Sequence, residues 1–275
     1  MKLILEYIHK DSFVHNLNGA TKLICFLLWC ITTMITYDTR ILSFMIIFGL
    51  FLFKLSKLKI QDVSFVLMFI LFFLILNNIF IYIFSPNTGT EIYGTKTVLI
   101  NLFGPYSITL EQLFYQINIT LKYFSVIPIA LIFILTTNPS EFASSLNKIG
   151  VNYKISYAVS LSLRYIPDII NDYKNISISK QARGIDLSKN EKLHKRIKNV
   201  FLILIPIIFS SLERIEKISC AMELRAFGYN KKRTWYNQKD FKKNDFISII
   251  FFLCIVIISI VFLFINNGRF FNPFI

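Results

Sequence analysis

Charge is scarce in this chain of 275 residues: Asp, Glu, Lys and Arg make up only 17 % of it. A soluble domain carries about 25 %. Glycine is scarce too, with nine residues. Cysteine is limited to Cys25, Cys30, Cys220 and Cys254, and no two of them form a CxxC pair. These shortages exclude a purely soluble enzyme and any disordered or fibrous class, and they speak against a disulfide, zinc or iron–sulfur framework. No GxxxxGK[ST] loop is present to cradle a nucleotide phosphate, and no HExxH or GxSxG motif occurs. His9, His15 and His194 lie far apart in sequence. No catalytic residue, metal or cofactor is expected.

Apolar side chains fill the gap, at 55 % of the chain and with 29 Phe. The net charge is nevertheless +14, from 30 Lys and Arg against 16 Asp and Glu. Both facts hold if apolar and basic residues occupy different segments. A hydrocarbon core about 30 Å thick needs roughly 20 apolar residues of helix. The candidate runs are Thr21 to Tyr37, Ile41 to Leu55, Val63 to Phe84, Leu113 to Leu135 and Phe246 to Ile265. The second run is short, but Lys54 and Lys57 can lift their ammonium groups to the interface. Asp38-Thr39-Arg40 then makes a tight turn. The first long apolar run begins only near residue 21, so no cleavable signal peptide is expected.

The expected fold is an all-α polytopic membrane protein of about five transmembrane helices plus a cytoplasmic domain of two long amphipathic helices and one short one. Residues 1–137 hold the first four spans, with an extracytoplasmic loop at 85–112. Residues 138–245 form the cytoplasmic domain and its basic tail, and 246–275 the last span. Orientation follows the basic residues. The stretch from Thr137 to Asp245 carries 20 of the 30 Lys and Arg and is expected inside, with Lys2, Lys10, Lys22, Lys54, Lys57 and Lys59. Loop 85–112 holds only Lys96, and it and Arg269 are expected outside. The N-terminus is thus cytoplasmic and the C-terminus extracytoplasmic.

In the cytoplasmic domain, Asn138-Pro139-Ser140-Glu141 offers a capping residue, proline at the first helical position and Glu at the third, and Gly150 ends that short helix. A second helix from Tyr153 places Ile155, Val159, Leu163, Ile166, Ile170, Tyr173 and Ile176 at spacings of three or four. Arg164, Asp168, Asp172 and Asn175 lie opposite. Pro167 should bend that helix or remove a hydrogen bond, and Gly184 terminates it. A basic linker from Lys189 to Lys198 precedes the apolar run Val200 to Leu212, which contains Pro206. Thirteen residues of helix reach only about 20 Å, too short to cross unaided. The stripe continues through Ile215, Ile218 and Met222, with Glu213 and Lys217 as an i,i+4 pair, and Gly228 ends it. So apolar a run suggests contact with lipid or another membrane protein. Lys192 to Lys198 and Lys231-Lys232-Arg233 would attract anionic headgroups at about 1 kcal/mol per charge. Nucleic acid is not expected as a partner.

In loop 85–112, Ile92-Tyr93-Gly94 and Val98 to Phe103, followed by Gly104-Pro105, suggest a small hairpin or re-entrant flap. Thr109 and Gln112 form a capping box for the fourth span. Within the spans the ionisable residues are Lys122 and, at the edges, Lys54 and Asp62, and Lys122 is expected to snorkel outward. A proton-coupled carrier would need buried carboxylates or histidines at mid-depth.

The two long cytoplasmic helices end alike, one in Gln181-Ala182-Arg183-Gly184 and the other in Glu223-Leu224-Arg225-Ala226-Phe227-Gly228. Each places an Arg in the last turn beside small residues. Macrodipole complementarity alone would account for that, at about 0.3–1 kcal/mol. The donor fork of a guanidinium also suits a partner's carboxylate. Here the sequence resembles the transmembrane T component of energy-coupling factor (ECF) transporters, the vitamin and metal importers of prokaryotes. The matching stretches run in order along almost the whole chain. They are Asp11-Ser12-Phe13-Val14-His15-Asn16-Leu17 with Thr21-Lys22-Leu23; Ser107-Ile108-Thr109 with Glu111 and Leu113; and Thr136-Thr137-Asn138-Pro139 with Leu146 and Gly150. The Ala182-Arg183-Gly184 motif follows, and then Ala221 to Gly228 with Lys232-Arg233-Thr234-Trp235-Tyr236. The second motif departs from the usual pattern, with Leu224 and Ala226 where Ala and Gly are common.

The resemblance implies a non-catalytic scaffold in the prokaryotic plasma membrane. Two ABC-type ATPase subunits would each receive one helix end, through Ala182, Arg183 and Gly184 or through Leu224, Arg225 and Ala226. A small substrate-binding membrane subunit would pack on Val200, Phe201, Ile205, Pro206 and Phe209. ATP-driven closure would tilt that subunit and release a vitamin or a metal ion such as cobalt or nickel. Two other readings stay open. An ordinary ABC permease subunit would want a polar pathway through the spans, where only Asn such as Asn77, Asn78 and Asn118 occur. A membrane-embedded lipid-modifying enzyme could use Asp168 and Asp172, one helical turn apart.

Overall fold

The computed structural model describes residue 10 and residues 12–101, 107–184, 193–230, 234–235, 239–266 and 268–274. The side chains of residues 60–62, 193 and 196 are not among those described. Expectations placed on Lys2, His9, Asp11, Asp62, Phe103-Gly104-Pro105, Lys189, Lys192, Lys231-Lys232-Arg233 and Tyr236 therefore lie outside the described residues. The elements run α1 Phe13–Asn16, α2 Gly19–Ile35, α3 Thr39–Leu55, α4 Ile60–Phe84, α5 Thr88–Tyr93, β1 Val98–Asn101, β2 Ser107–Thr109, α6 Leu110–Thr136, α7 Pro139–Lys148, α8 Tyr153–Ala182, α9 Leu193–Leu224 and α10 Lys243–Ile265. The chain divides into two compact units, Met1–Glu141 with Lys239–Ile275, and Phe142–Gln238.

In the first unit the apolar runs expected to span are helical, except that Thr36 and Tyr37 lie beyond the end of α2. The described parts of α4, α6 and α10 are long and apolar enough to cross a membrane, and α2 is a shorter apolar helix. The protein is nearly all-α and polytopic. α3 has 17 residues and carries Arg40 and Lys54 near its ends. α3 packs along α6, and α10 along α2. Trp29, Met45, Val63, Leu135 and Phe252 lie in the core between them. The Trp29 indole is buried, and its Nε1 donates to the Ser125 carbonyl at 2.9 Å, so its polar edge is not orphaned. α4 instead exposes Phe65, Met68, Phe69, Phe72 and Ile75. A helix apolar on all sides suits contact with lipid.

Polar contacts gather at the two ends of this unit. At one end Lys10 Nζ donates to the Lys57 carbonyl (2.8 Å), the Gly19 amide to Glu141 Oε1 (2.9 Å) and Lys22 Nζ to the Thr136 carbonyl (2.8 Å). At the other, Tyr37 N donates to the Arg269 carbonyl, Asn266 Nδ2 to Asp38 Oδ2 and Asn272 Nδ2 to the Tyr93 carbonyl. Lys22 and Glu141 serve helix ends here: the ammonium caps the last carbonyl of α6, that of Thr136, and the carboxylate the first amide of α2, that of Gly19.

Asp245 has the same role on two segments at once. It is 1 % exposed, and its oxygens accept from the backbone amides of Asn18 (2.9 Å) and Lys242 (2.7 Å). Each buried amide left without an acceptor costs about 1–3 kcal/mol. The Asn18 amide is the buried one of the two, so Asp245→Ala is expected to destabilise the first unit by about 1–3 kcal/mol. Asp245→Asn, which keeps one carbonyl oxygen, should lose less. Thermal denaturation in detergent reads the difference, and equal melting of the two variants would contradict it.

Several local expectations are corrected. Ile92 and Tyr93 belong to helix α5, not to a strand, and Gly94 closes it in the left-handed region at φ 73°. The Thr109 hydroxyl does accept from the Gln112 amide, at 3.3 Å. The Gln112 side chain, however, reaches away to the Gly89 amide and the Ser85 carbonyl instead of closing a capping box. Glu141, in the first turn of α7, also accepts from the Gly19 amide of α2 and pairs with Lys239 at 3.1 Å. The expected hairpin is present as antiparallel β1 and β2.

In the second unit α8 runs 30 residues through Pro167 and α9 runs 32 through Pro206, neither helix ending at its proline. α9 begins at Leu193, inside the stretch read as a basic linker, because Lys195, Arg196 and Lys198 are good helix formers. The short helix α7 ends as expected before Gly150, at φ 110°.

Candidate functional site

The two arginines sit one position further along than the sequence pattern implied. α8 ends at Ala182 and Arg183 is its C-cap, with Gly184 following at φ 82°. α9 ends at Leu224, so Arg225 holds the corresponding position, and the following residue, Ala226, is left-handed at φ 51°. The backbone bonds explain why α9 stops before Gly228. The Phe227 amide donates to the Met222 carbonyl and the Ala226 amide to that of Glu223, both at 2.9 Å. That pair of bonds is the Schellman turn, which needs a left-handed residue directly after the cap. At the end of α8 the Gly184 amide makes the equivalent bond to the Gln181 carbonyl, at 2.9 Å. Both guanidinium-bearing residues therefore leave the backbone at the same point of the same kind of turn, and both are exposed.

A Cβ disfavours the left-handed region by about 1–2 kcal/mol. Glycine would return about 0.4–1 kcal/mol of that as chain entropy in the unfolded state. Ala226→Gly is thus expected to stabilise the turn by up to about 1 kcal/mol. Slower hydrogen exchange at the Phe227 amide would report it, and faster exchange would contradict it.

The two turns lie at opposite ends of α8. Arg183 directly follows its last residue. At the other end the Phe227 ring packs on Tyr153 and Tyr157, with centroids 5.6 and 4.8 Å apart, and Gly228 lies against Lys154. Thirty residues of helix separate those ends by about 45 Å. Trp235 joins the second end, its Nε1 donating to Asn147 Oδ1 at 3.1 Å.

Sequence reasoning missed the link between the long helices. Arg214 of α9 reaches Asp172 at 2.7 Å and Asp168 at 3.9 Å, and lies over the Tyr165 ring. The two carboxylates considered for a metal pair are thus joined through a guanidinium. Glu213 and Lys217 form the expected i,i+4 pair at 2.8 Å. The hydrogen bond from Lys217 holds the Glu213 carboxyl below its ordinary range. A groove of about 520 Å³ runs between α8 and α9, lined by residues such as Leu161, Tyr165, Ile169, Ile215 and Met222.

Within the apolar run of α9, Ile203 and Ile207 are buried, while Val200, Phe201, Ile205 and Phe209 are exposed, Phe209 by 68 %. Pro206 is half-buried among them. Lys122 in α6 holds its ammonium 3.7 Å from the centre of the Tyr37 ring, a cation–π contact.

Comparison with known proteins identifies the family of the chain. The family model described as cobalt transport protein, CbiQ, matches residues 10–236. The energy-coupling factor transporter transmembrane protein EcfT of Streptococcus thermophilus is 30 % identical, over 94 % of this chain and 97 % of that protein. Its namesake in Staphylococcus aureus is 28 % identical over the same shares. That of Macrococcus caseolyticus is 26 % identical over 97 % of this chain and 99 % of its own length. The chain belongs to the CbiQ family, which takes in the EcfT transmembrane components of energy-coupling factor transporters.

Proposed function

We propose that this chain is the scaffold through which two ABC-type ATPase subunits drive a separate small substrate-binding membrane subunit in vitamin or metal-ion uptake. The observation that carries the reading is the pair of matching C-cap arginines at opposite ends of α8. Two identical presentations about 45 Å apart suit two copies of one kind of partner better than one partner. Ala182, Arg183 and Gly184 engage one ATPase, and Leu224, Arg225 and Ala226 the other. The exposed side chains Val200, Phe201, Ile205 and Phe209, with Pro206 among them, receive the substrate subunit. Hydrolysis belongs to the partners, since no phosphate loop exists in this sequence. Residues 138–245 lie in the cytoplasm with the N-terminus, and the C-terminus lies outside the plasma membrane.

Purification of the tagged chain from its native membranes tests the reading. Two ABC-type ATPases and a small hydrophobic protein should accompany it, and the chain stripped of them should not hydrolyse ATP. Recovery of the chain without ATPases, or hydrolysis that survives their removal, would refute it. A topology reporter fused after residue 230 should read cytoplasmic and one at residue 275 external.

A further inference from the structure

The hairpin between α4 and α6 is built inside out for a loop in water. β2 is its sheltered strand, with Ser107 and Thr109 buried. β1 is the outer strand, and all four of its residues are exposed. Val98, Leu99 and Ile100 are 43, 53 and 55 % exposed. Val98, Leu99 and Ile100 thus present a run of exposed aliphatic groups along β1. The register slips between Val98 and Ile100, and Leu99 is the extra residue of that irregularity. An outer strand facing water is normally blunted by charge, because bare apolar edges pair with other chains. No charged side chain occurs from Thr97 to Leu110.

The base of the hairpin is fixed. Thr97 donates to Glu111 Oε1 through both its amide (2.9 Å) and its hydroxyl (2.8 Å), and Glu111 lies in the first turn of α6. Helix α4 ends at Phe84, which is 79 % exposed, the short helix α5 lies between it and β1, and both α4 and α6 are long and apolar enough to cross a membrane. β2 runs directly into α6, so with α6 as a span the hairpin stands where that helix leaves the hydrocarbon. Among the described residues the sheet has two strands, so the outer edge of β1 has no further strand to pair its backbone groups. Such groups are not tolerated in hydrocarbon but are satisfied among headgroups and water.

We propose that β1 is an interfacial anchor. Leu99 and Ile100 seat on the phospholipid bilayer at the boundary between headgroups and acyl chains, while the strand's outer backbone edge stays hydrated. The hairpin then fixes the depth of the α4–α6 connection in the membrane. This reading is independent of the coupling role of the second unit.

The test uses the full chain with its native cysteines replaced, reconstituted in liposomes of phosphatidylcholine and phosphatidylglycerol. Lys96→Cys, Leu99→Cys and Ile100→Cys are spin-labelled singly. Power saturation then compares collisions with oxygen, which enriches in lipid, and with a water-soluble nickel chelate. Labels at 99 and 100 should both favour oxygen, and the label at 96 should favour nickel. Preference for nickel at 99 and 100 would place the strand in open water and overturn the proposal. Shielding from both reagents would indicate protein cover, such as a second copy, and would overturn it as well. As an independent check, Leu99→Asp with Ile100→Asp should shift a label at Asn101→Cys toward nickel while the melting curve is kept. No shift in a folded protein would also refute the anchor.

Discussion

If the proposed ATPase partners bind at the two helix ends, replacing Arg183 and Arg225 together with alanine is expected to abolish stable assembly with them and, with it, uptake, while the chain stays folded and inserted. Both residues are exposed caps, and the dipole contribution lost to the fold is about 0.3–1 kcal/mol at each end. A complex loses more. Truncating one side of a desolvated, hydrogen-bonded charge pair costs about 2–5 kcal/mol, or roughly 30- to 4,000-fold in affinity. Each single variant should weaken the complex by that order, and the double variant should be worse than either if the two ends engage separate subunits. Lysine should rescue poorly, because an ammonium cannot reproduce a two-pronged contact. Arg164→Ala, on an exposed position of the same helix α8, serves as the control and should matter little. A pull-down of the ATPases with uptake measured at matched expression decides. Normal assembly and uptake in the double variant would return both arginines to ordinary helix caps.

The geometry behind that expectation was only partly legible in the sequence. The apolar runs announced their helices because side-chain type alone decides whether some twenty residues can face lipid. Gly184 and Gly150 announced helix ends, since few other residues take a left-handed backbone without strain. The end of α9 was misjudged at Gly228 because Ala226 takes the position where glycine is expected. Helix α5 was missed because six residues give no usable period, and Ile92-Tyr93 is β-type by composition. What pattern could not reveal at all was the destination of the charged side chains. Glu141 also reaches the first amide of a helix 122 positions away, and Lys22 closes the end of α6 across 114. Such pairings depend on which helices become neighbours, and periodicity within one helix carries no trace of that. The spacing of Asp168 and Asp172 was read correctly, but their common partner, Arg214, is 42 residues from Asp172.

That partner leads to the second large effect, expected when Arg214 is replaced by alanine. Its guanidinium is a polar pin between α8 and α9, and on one side of it the groove leaves the helices without close packing. Exposed ion pairs contribute about 0–1 kcal/mol, and breaking buried ones costs about 3–5 kcal/mol. The Arg214 and Asp172 side chains are 30 % and 28 % exposed, so the pair belongs between those limits. Arg214→Ala also leaves Asp168 and Asp172 as like charges at i,i+4, which repel by a few tenths of a kcal/mol. The second unit should lose roughly 1.5–3 kcal/mol of stability, the range of a charge-assisted hydrogen bond. The functional consequence should be distinct from that of the cap arginines. Neither helix end is touched, so the ATPases should still bind. If motion at the helix ends reaches the substrate subunit only while α8 and α9 move as one body, uptake should fall although assembly and ATP hydrolysis persist. Exchanging the charges, Arg214→Asp with Asp172→Arg, should recover part of the loss, whereas either change alone should be worse than alanine. A double-mutant cycle on thermal stability gives the pair's own contribution. Uptake per ATP hydrolysed gives its role in transmission. Unchanged uptake per ATP in a folded Arg214→Ala protein would show that the pin holds the helices together without transmitting their motion.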